Sequence, residues 1–287
     1  MYPLTKKNKD FILDSILTIN GLFSAMAVGL IFIFVTRESL LAIQVKGWSF
    51  FLDQSWYPLE GQFNVLPMVV GTILVSLGAL VLAAPFGLFS ALFIVFYSHE
   101  SIAWPFRRVV DLYSGVPSVI FGFWGLMKVV PLLNEISPPG QSLLAGILIL
   151  ALMIFPIITL NLMASFKLAS KKYYRISLSL GMRKSTYIWS ILLPSLKQQI
   201  AGALILALGR AMGETMAVLM VCGNIVKMPT SIFDPVRTLT ANIALEMAYA
   251  MREHRSALFF TGLILFLLIF LLISIADFWR GNQTWKK

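Results

Sequence analysis

Residues 209–218 read GRAMGETMAV inside an otherwise apolar run, IAGALILALGRAMGETMAVLMVC, that extends from Ile200 to Cys222. Two opposite charges, Arg210 and Glu214, stand four residues apart near its middle. On insertion scales each costs about 2.5–3.5 kcal/mol at the centre of a membrane helix, so such residues mark transport paths or pair with one another. At about 3.6 residues per turn, one continuous helix presents both on one face. Arginine stays charged, and its planar fork holds a tetrahedral oxyanion through two parallel hydrogen bonds. A carboxylate repels an anion unless that anion carries a proton, whose hydrogen bond the carboxylate then accepts. Two readings stand on these residues: Arg210, Glu214 and the adjacent Thr215 line a path for an oxyanion, or the pair is a silent i, i+4 ion pair. Gly209 and Gly213 form a GxxxG step that Ala217 extends, a small-residue face suited to a close helix crossing.

Other candidates for chemistry are fewer. Ser114 and Ser118 flank Pro117 in SGVPS, where their hydroxyls either line a path or satisfy a helix distorted by proline. Asp14 and Asn20 are read as facing the interface or a neighbouring helix. His99, His254 and the single Cys222 are far apart, which leaves no metal-ligand spacing, no internal disulfide and no Ser-His or His-Asp arrangement for an intramembrane enzyme.

The elements that position these residues follow from composition. The chain is 58% hydrophobic and 13% charged with a mean hydropathy of +0.83, beyond the balance of soluble proteins. It is predicted to be all-α and polytopic. With about 20 apolar residues needed per crossing, six spans are expected, at about 11–35, 66–97, 112–133, 142–164, 198–222 and 257–278. The first is read as retained, being too long for a signal h-region. Six spans put both termini on one side. If that side is the cytoplasm, inner segments carry 15 Lys and Arg against 6 outside, which favours cytoplasmic termini. The net charge of +10 is scattered over short loops and does not indicate nucleic acid.

Three long loops remain. Residues 36–65 contain KGWSFFLDQSWYPLEGQF, suited to an interfacial helix, with a turn at Pro58 and Gly61. Residues 223–256 hold LTANIALEMAYAM, too short and polar to span and read as re-entrant or interfacial. The third, at about 164–197, is cytoplasmic and basic. Ile176 and Leu180 share a helical face, Gly181 breaks it, and Pro194 precedes the next span. A short helix, a glycine turn and a second short helix form a knob that either docks in a partner's groove or lies on anionic lipid. The chain is accordingly divided into an N-terminal segment at 1–65, a core at 66–280 and a tail at 281–287.

The third loop resembles the signature of ABC importer permeases, an acidic triplet followed at fixed spacing by glycine, an aliphatic residue, leucine and proline. Gly181, Ile191, Leu193 and Pro194 stand at the matching places, whereas the triplet reads Arg175, Ile176, Ser177 and lacks the usual glutamate. WYPLEGQFNVLPMVVGTILVSLGALVLAAPFGL, SGVPSVIFGFWGL and GRAMGETMAV are similar to blocks of the phosphate-specific importer permeases, the PstC type. Met216 and Ala217 stand where the companion A-type usually has Ala-Pro, which favours the C-type. The resemblance implies a six-helix type I ABC importer permease fold in the bacterial inner membrane. It also implies a heterodimer with an A-type permease, two ATP-binding subunits that hold ATP and Mg, and an external phosphate-binding protein, with no cofactor, nucleotide or metal bound by this chain. A GxxxxGK[ST] loop is absent from the sequence. The function implied is translocation of inorganic phosphate by alternating access. A permease for sulfate, molybdate or phosphonate is the nearest alternative, and a secondary transporter the next.

Overall fold

The computed structural model describes the backbone of residues 4–47, 49–53 and 55–284, and the side chains of residues 14–47, 50, 51, 53, 55–170, 174, 176, 177 and 179–275. Among these every regular element is helical. In chain order they are α1 (Leu4–Lys46), α2 (Ser49–Leu52), α3 (Leu66–Leu92), α4 (Glu100–Ser114), α5 (Ser118–Trp124), α6 (Val130–Ile136) and α7 (Leu143–Ser179). There follow α8 (Lys184–Tyr187), α9 (Leu193–Ser195), α10 (Lys197–Met212), α11 (Met216–Val221), α12 (Leu239–Glu246) and α13 (Arg252–Thr284). π-helical turns extend α3 over Phe93–Tyr97, join α5 to α6 over Gly125–Val129, and join α8 to α9 over Ile188–Leu192.

The core is the pairing of α3 with α7. Gly71, Val75, Ala79, Ala83, Gly87 and Ala91 recur every fourth residue along α3 and are all buried. Small residues at that spacing let two backbones approach closely. The bulky side chains of Ile149, Ile154, Ile158 and Leu162 on α7 belong to the same cluster. A second cluster lies at the opposite ends of the helices, where Ala42, Phe50, Trp56, Phe63 and Met68 meet Leu239, Ala257 and Leu258. There α1 and α13 are joined by the Ser256 hydroxyl, which donates to the Glu38 carbonyl at 2.6 Å and accepts from the Ala42 amide at 2.9 Å. The expected turn before the second span is present: Pro58–Glu60 forms a 3-10 turn, and the Tyr57 amide donates to the Gln62 carbonyl at 2.9 Å.

Among the described residues five helical stretches are long and apolar enough to cross a membrane: Asp14–Lys46, Leu66–Tyr97, Ser118–Ile136, Leu143–Ser170 and Arg252–Ile275. A sixth qualifies only as a pair, Lys184–Ser195 and Lys197–Met212, bent by 68°. Four expectations are corrected. The third span starts at Ser118 and not near 112, because residues 115–117 interrupt the helix and α4 is a separate amphipathic element burying only Ala103 and Val110. The fifth is not one helix over 198–222 but α10 and α11 with a break at 213–215. The first half of the cytoplasmic knob is the continuation of α7 and not a separate helix. α1 runs on to Lys46, past the expected end of the first span.

Candidate functional site

The break in the fifth span contradicts the expectation of one charged helical face. α10 ends at Met212, so Arg210 and Glu214 do not share a helix, and among the described residues no ion pair joins them. Arg210 is exposed in the last turn of α10 and has no hydrogen-bond partner among those residues. Glu214 is 7% exposed, and its Oε1 accepts the amide of Ala217 at 3.3 Å, capping the first turn of α11. The carbonyl that the break frees at Glu214 accepts the Thr240 hydroxyl at 2.8 Å. Irregular backbone at membrane depth is tolerated only where such groups find partners in protein. Thr215 lies in the break, half-buried.

The GxxxG step is used only in part within this chain. A Cβ at Gly209 would meet nothing within 4 Å, and one at Gly213 only carbonyls of its own turn, so within this chain neither glycine sits at a helix crossing. The close crossing is made by Ala217 alone of the three, and its partner is Gly122: a Cβ there would lie 2.8 Å from the Ala217 Cα. Gly122 follows Ser118 by one turn, about 6 Å, so the interruption at 115–117 stands beside the one at 213–215. The structure thus brings Ser118 towards the Glu214 turn. Ser114 is at the exposed end of α4, where its hydroxyl donates to the Asp111 carbonyl at 2.7 Å.

α12 braces the break. Its first amide, Leu239, donates to the Thr72 hydroxyl of α3 at 3.0 Å, and Thr238 caps it by accepting the Ala241 amide at 3.3 Å. Six residues beyond Thr240, about 9 Å along the axis, Glu246 is the centre of a buried polar network. Its Oε1 accepts Arg237 at 2.6 Å, and its Oε2 accepts Trp56 Nε1 and faces His254 Nε2, each at 2.8 Å. Glu246 and His254 also line an open groove of about 650 Å³ with Pro58, Leu59, Tyr249 and Arg252. Nearby, the Asp234 carboxyl is held below its usual range by the backbone amide and hydroxyl of Thr230 and the amide of Ser231. The loop it closes covers the start of α7, whose Leu143 amide donates to the Asp234 carbonyl at 2.9 Å. α12 is therefore packed inside the protein and not spread on an interface.

In the loop after α7 Gly181 takes φ +67°, the left-handed conformation that glycine adopts without a Cβ penalty. The Met182 amide closes on the Ser177 carbonyl at 3.1 Å. Ile176 and Leu180 are exposed, as is Trp189. Ser177 is buried, Ile191 and Leu193 pack inward on the core, and Pro194 is exposed at the start of α9. The side chain of Arg175 lies outside the described residues. Gly122, Thr240 and the Glu246 network escaped the sequence reading. Only the Gly122 and Gly125 spacing in SVIFGFWG offered a signal for a close crossing.

Comparison with known proteins identifies the family and the fold. Residues 83–281 match the family described as binding-protein-dependent transport system inner membrane component. The chain is 32% identical over 256 residues to the phosphate transport system permease protein PstC of Xylella fastidiosa, covering 82% of this chain and 79% of that protein. It is 32% identical over 277 residues to the probable ABC transporter permease YqgH of Bacillus subtilis, covering 93% and 90%. The permease fold of an inward-facing MetNI methionine ABC transporter superposes with a TM-score of 0.58 at 16% identity, over 81% of this chain and 97% of that one. The chain belongs to the binding-protein-dependent transport system inner membrane component family, as a multi-pass permease related to the PstC proteins.

Proposed function

We propose that this chain is the C-type permease of an ATP-driven importer that moves inorganic phosphate into the cytoplasm by alternating access. The observation that carries the reading is the unpaired, exposed guanidinium of Arg210 at the end of α10, beside a break in a membrane span. An arginine there offers an oxyanion two parallel hydrogen bonds and a charge that replaces hydration. Glu214, buried in this conformation, reaches the path when the 213–215 turn rearranges, and its carboxylate selects an anion that still carries a proton. The phosphate named for the PstC relatives is such an anion. Thr215 and Ser118 border the same turn. Ile176, Leu180 and Trp189 give the knob an exposed apolar surface for the ATP-binding subunit. The rest of the assembly is an A-type permease, a second ATP-binding subunit and an external phosphate-binding protein, with both termini of this chain in the cytoplasm and ATP and Mg held by the partners.

The test is uptake by the reconstituted importer, with the binding protein bypassed or made permissive, in competition between phosphate and sulfate. Arg210→Met is expected to abolish uptake in a complex that still assembles. Glu214→Gln is expected to lower phosphate uptake and to weaken the exclusion of sulfate, because the amide no longer repels a fully deprotonated anion. Preferred uptake of sulfate by the unaltered complex overturns the substrate. Normal phosphate uptake by Arg210→Met overturns the path.

A further inference from the structure

The α3 helix ends in the π turn Phe93–Tyr97, and Ser98 leaves it in extended conformation. The last carbonyls of a helix have no partner within it and attract cations. The Phe96 carbonyl is taken by a residue 88 positions away: Lys184 Nζ donates to it at 2.6 Å and sits 5.3 Å from the centre of the Tyr97 ring. Lys184 is the first residue of α8, three residues past the Gly181 turn. Under this bond the Phe96 ring packs against Tyr174 and Tyr187, each at 6.0 Å between centroids, and against Phe166 at 6.4 Å. Tyr174 and Tyr187 meet at 5.2 Å, and Tyr187 is fully buried. Three pieces therefore converge: the inner end of the second span, the cytoplasmic end of α7, and the base of the knob.

The two kinds of contact do different things. Apolar burial is non-directional, so an aromatic cluster tolerates sliding of one element over another. A charge-assisted hydrogen bond fixes both distance and direction. We propose that Lys184 is the positioning residue that makes the knob and the inner end of α3 one mechanical unit, so that movement of the knob is delivered to the second span through the Phe96 carbonyl. The inference rests on the reading of the knob as the surface that engages the ATP-binding subunit. It adds the residue that carries the displacement inward.

The experiment uses the complete importer in proteoliposomes, with ATP hydrolysed per phosphate imported as the readout and retention of the ATP-binding subunits measured on the same preparations. Lys184→Met keeps the stem and removes the donor. Its expected result is full retention of the ATP-binding subunits with the ATP-to-phosphate ratio raised about tenfold or more, the shift that loss of a hydrogen bond to a charged group brings. Lys184→Arg restores the bond and is expected to return the ratio to within about twofold of the original. An unchanged ratio in Lys184→Met overturns the proposal. So does loss of the ATP-binding subunits from that variant, which assigns Lys184 to docking or folding instead. Failure of the docking reading shows separately: Gly181→Asp, with the turn disturbed, then retains the subunits and the original ratio.

Discussion

Gly122 and Gly209 are both helical glycines in apolar spans, and the structure assigns opposite signs to the same substitution at the two. At Gly122 an added methyl group lies 2.8 Å from the Ala217 Cα and 2.9 Å from the Met220 sulfur. The sulfur ends a flexible chain and can turn away, but the Cα is backbone, so α5 and α11 must separate by several tenths of an ångström. Overpacking of this kind costs about 1–3 kcal/mol, against a gain of about 0.5–1 kcal/mol from replacing a helical glycine by alanine. Gly122→Ala is therefore expected to destabilise the permease by about 1 kcal/mol, and by up to about 2.5 kcal/mol. At Gly209 the methyl group meets nothing within 4 Å. Gly209→Ala keeps only the propensity gain, and its melting temperature in detergent should be equal to or above that of the unaltered chain, with Gly122→Ala several degrees lower. The assay is thermal unfolding of each purified variant, followed by the fluorescence of the 7 tryptophans. A Gly122→Ala chain as stable as the unaltered one refutes the assignment of the close crossing to α5 and α11. A Gly209→Ala chain that melts below it, with no second permease present, refutes the reading of that face as open.

Two further substitutions test the brace around the break. Thr240→Val leaves the buried Glu214 carbonyl without its donor and is expected to cost about 1–3 kcal/mol in denaturation midpoint, whereas Thr240→Ser keeps the hydroxyl and should stay near the original value. Glu246→Leu strips Arg237 of its carboxylate in a half-buried site and is expected to cost about 3–5 kcal/mol. The double variant Arg237→Met with Glu246→Leu should recover a large part of that loss in the same measurement.

What was legible in the sequence was whatever hydrophobic length and turn chemistry decide. The apolar runs gave five of the six crossings, Pro58 and Gly61 gave the turn before the second, and Gly181 gave the turn after α7. The break at 213–215 was not legible, because Arg210, Ala211, Met212, Glu214 and Met216 are compatible with a continuous helix and Gly213 is tolerated in one. It forms because two partners remote in sequence or off the helical path reward it, the Thr240 hydroxyl and the capping bond from the Glu214 carboxylate to Ala217. The same applies to the GxxxG step, a local pattern whose meaning depends on which helix lies opposite. Among the described residues a Cβ at Gly209 or Gly213 would meet no other helix within 4 Å, and Ala217 finds Gly122, 95 positions earlier. Lys184 read as one more basic residue of a cytoplasmic loop, since nothing near it in sequence announces the Phe96 carbonyl.

The contacts named above join end to end. Lys184 holds the C-terminal end of α3 through the Phe96 carbonyl, Thr72 in the N-terminal half of α3 accepts the Leu239 amide that begins α12, and Thr240 of α12 holds the Glu214 carbonyl at the break. From Thr72 to Phe96 the helix is about 36 Å long, so the two hydrogen-bonded ends are joined by continuous helical backbone that packs on α7 through residues such as Gly78 and Gly87. Spatial continuity of this kind is not yet energetic coupling. Coupling has its own measure, the failure of two changes to add when they are far too distant to touch. Lys184→Met and Thr240→Val are at opposite ends of the chain of contacts. If each raises the ATP-to-phosphate ratio of the complete importer by loosening the same transmission, the double variant should be no worse than the poorer single one, because a linkage already open at one point loses nothing more when opened at another. If the two effects multiply, the knob and the break act independently, and α3 does not connect them.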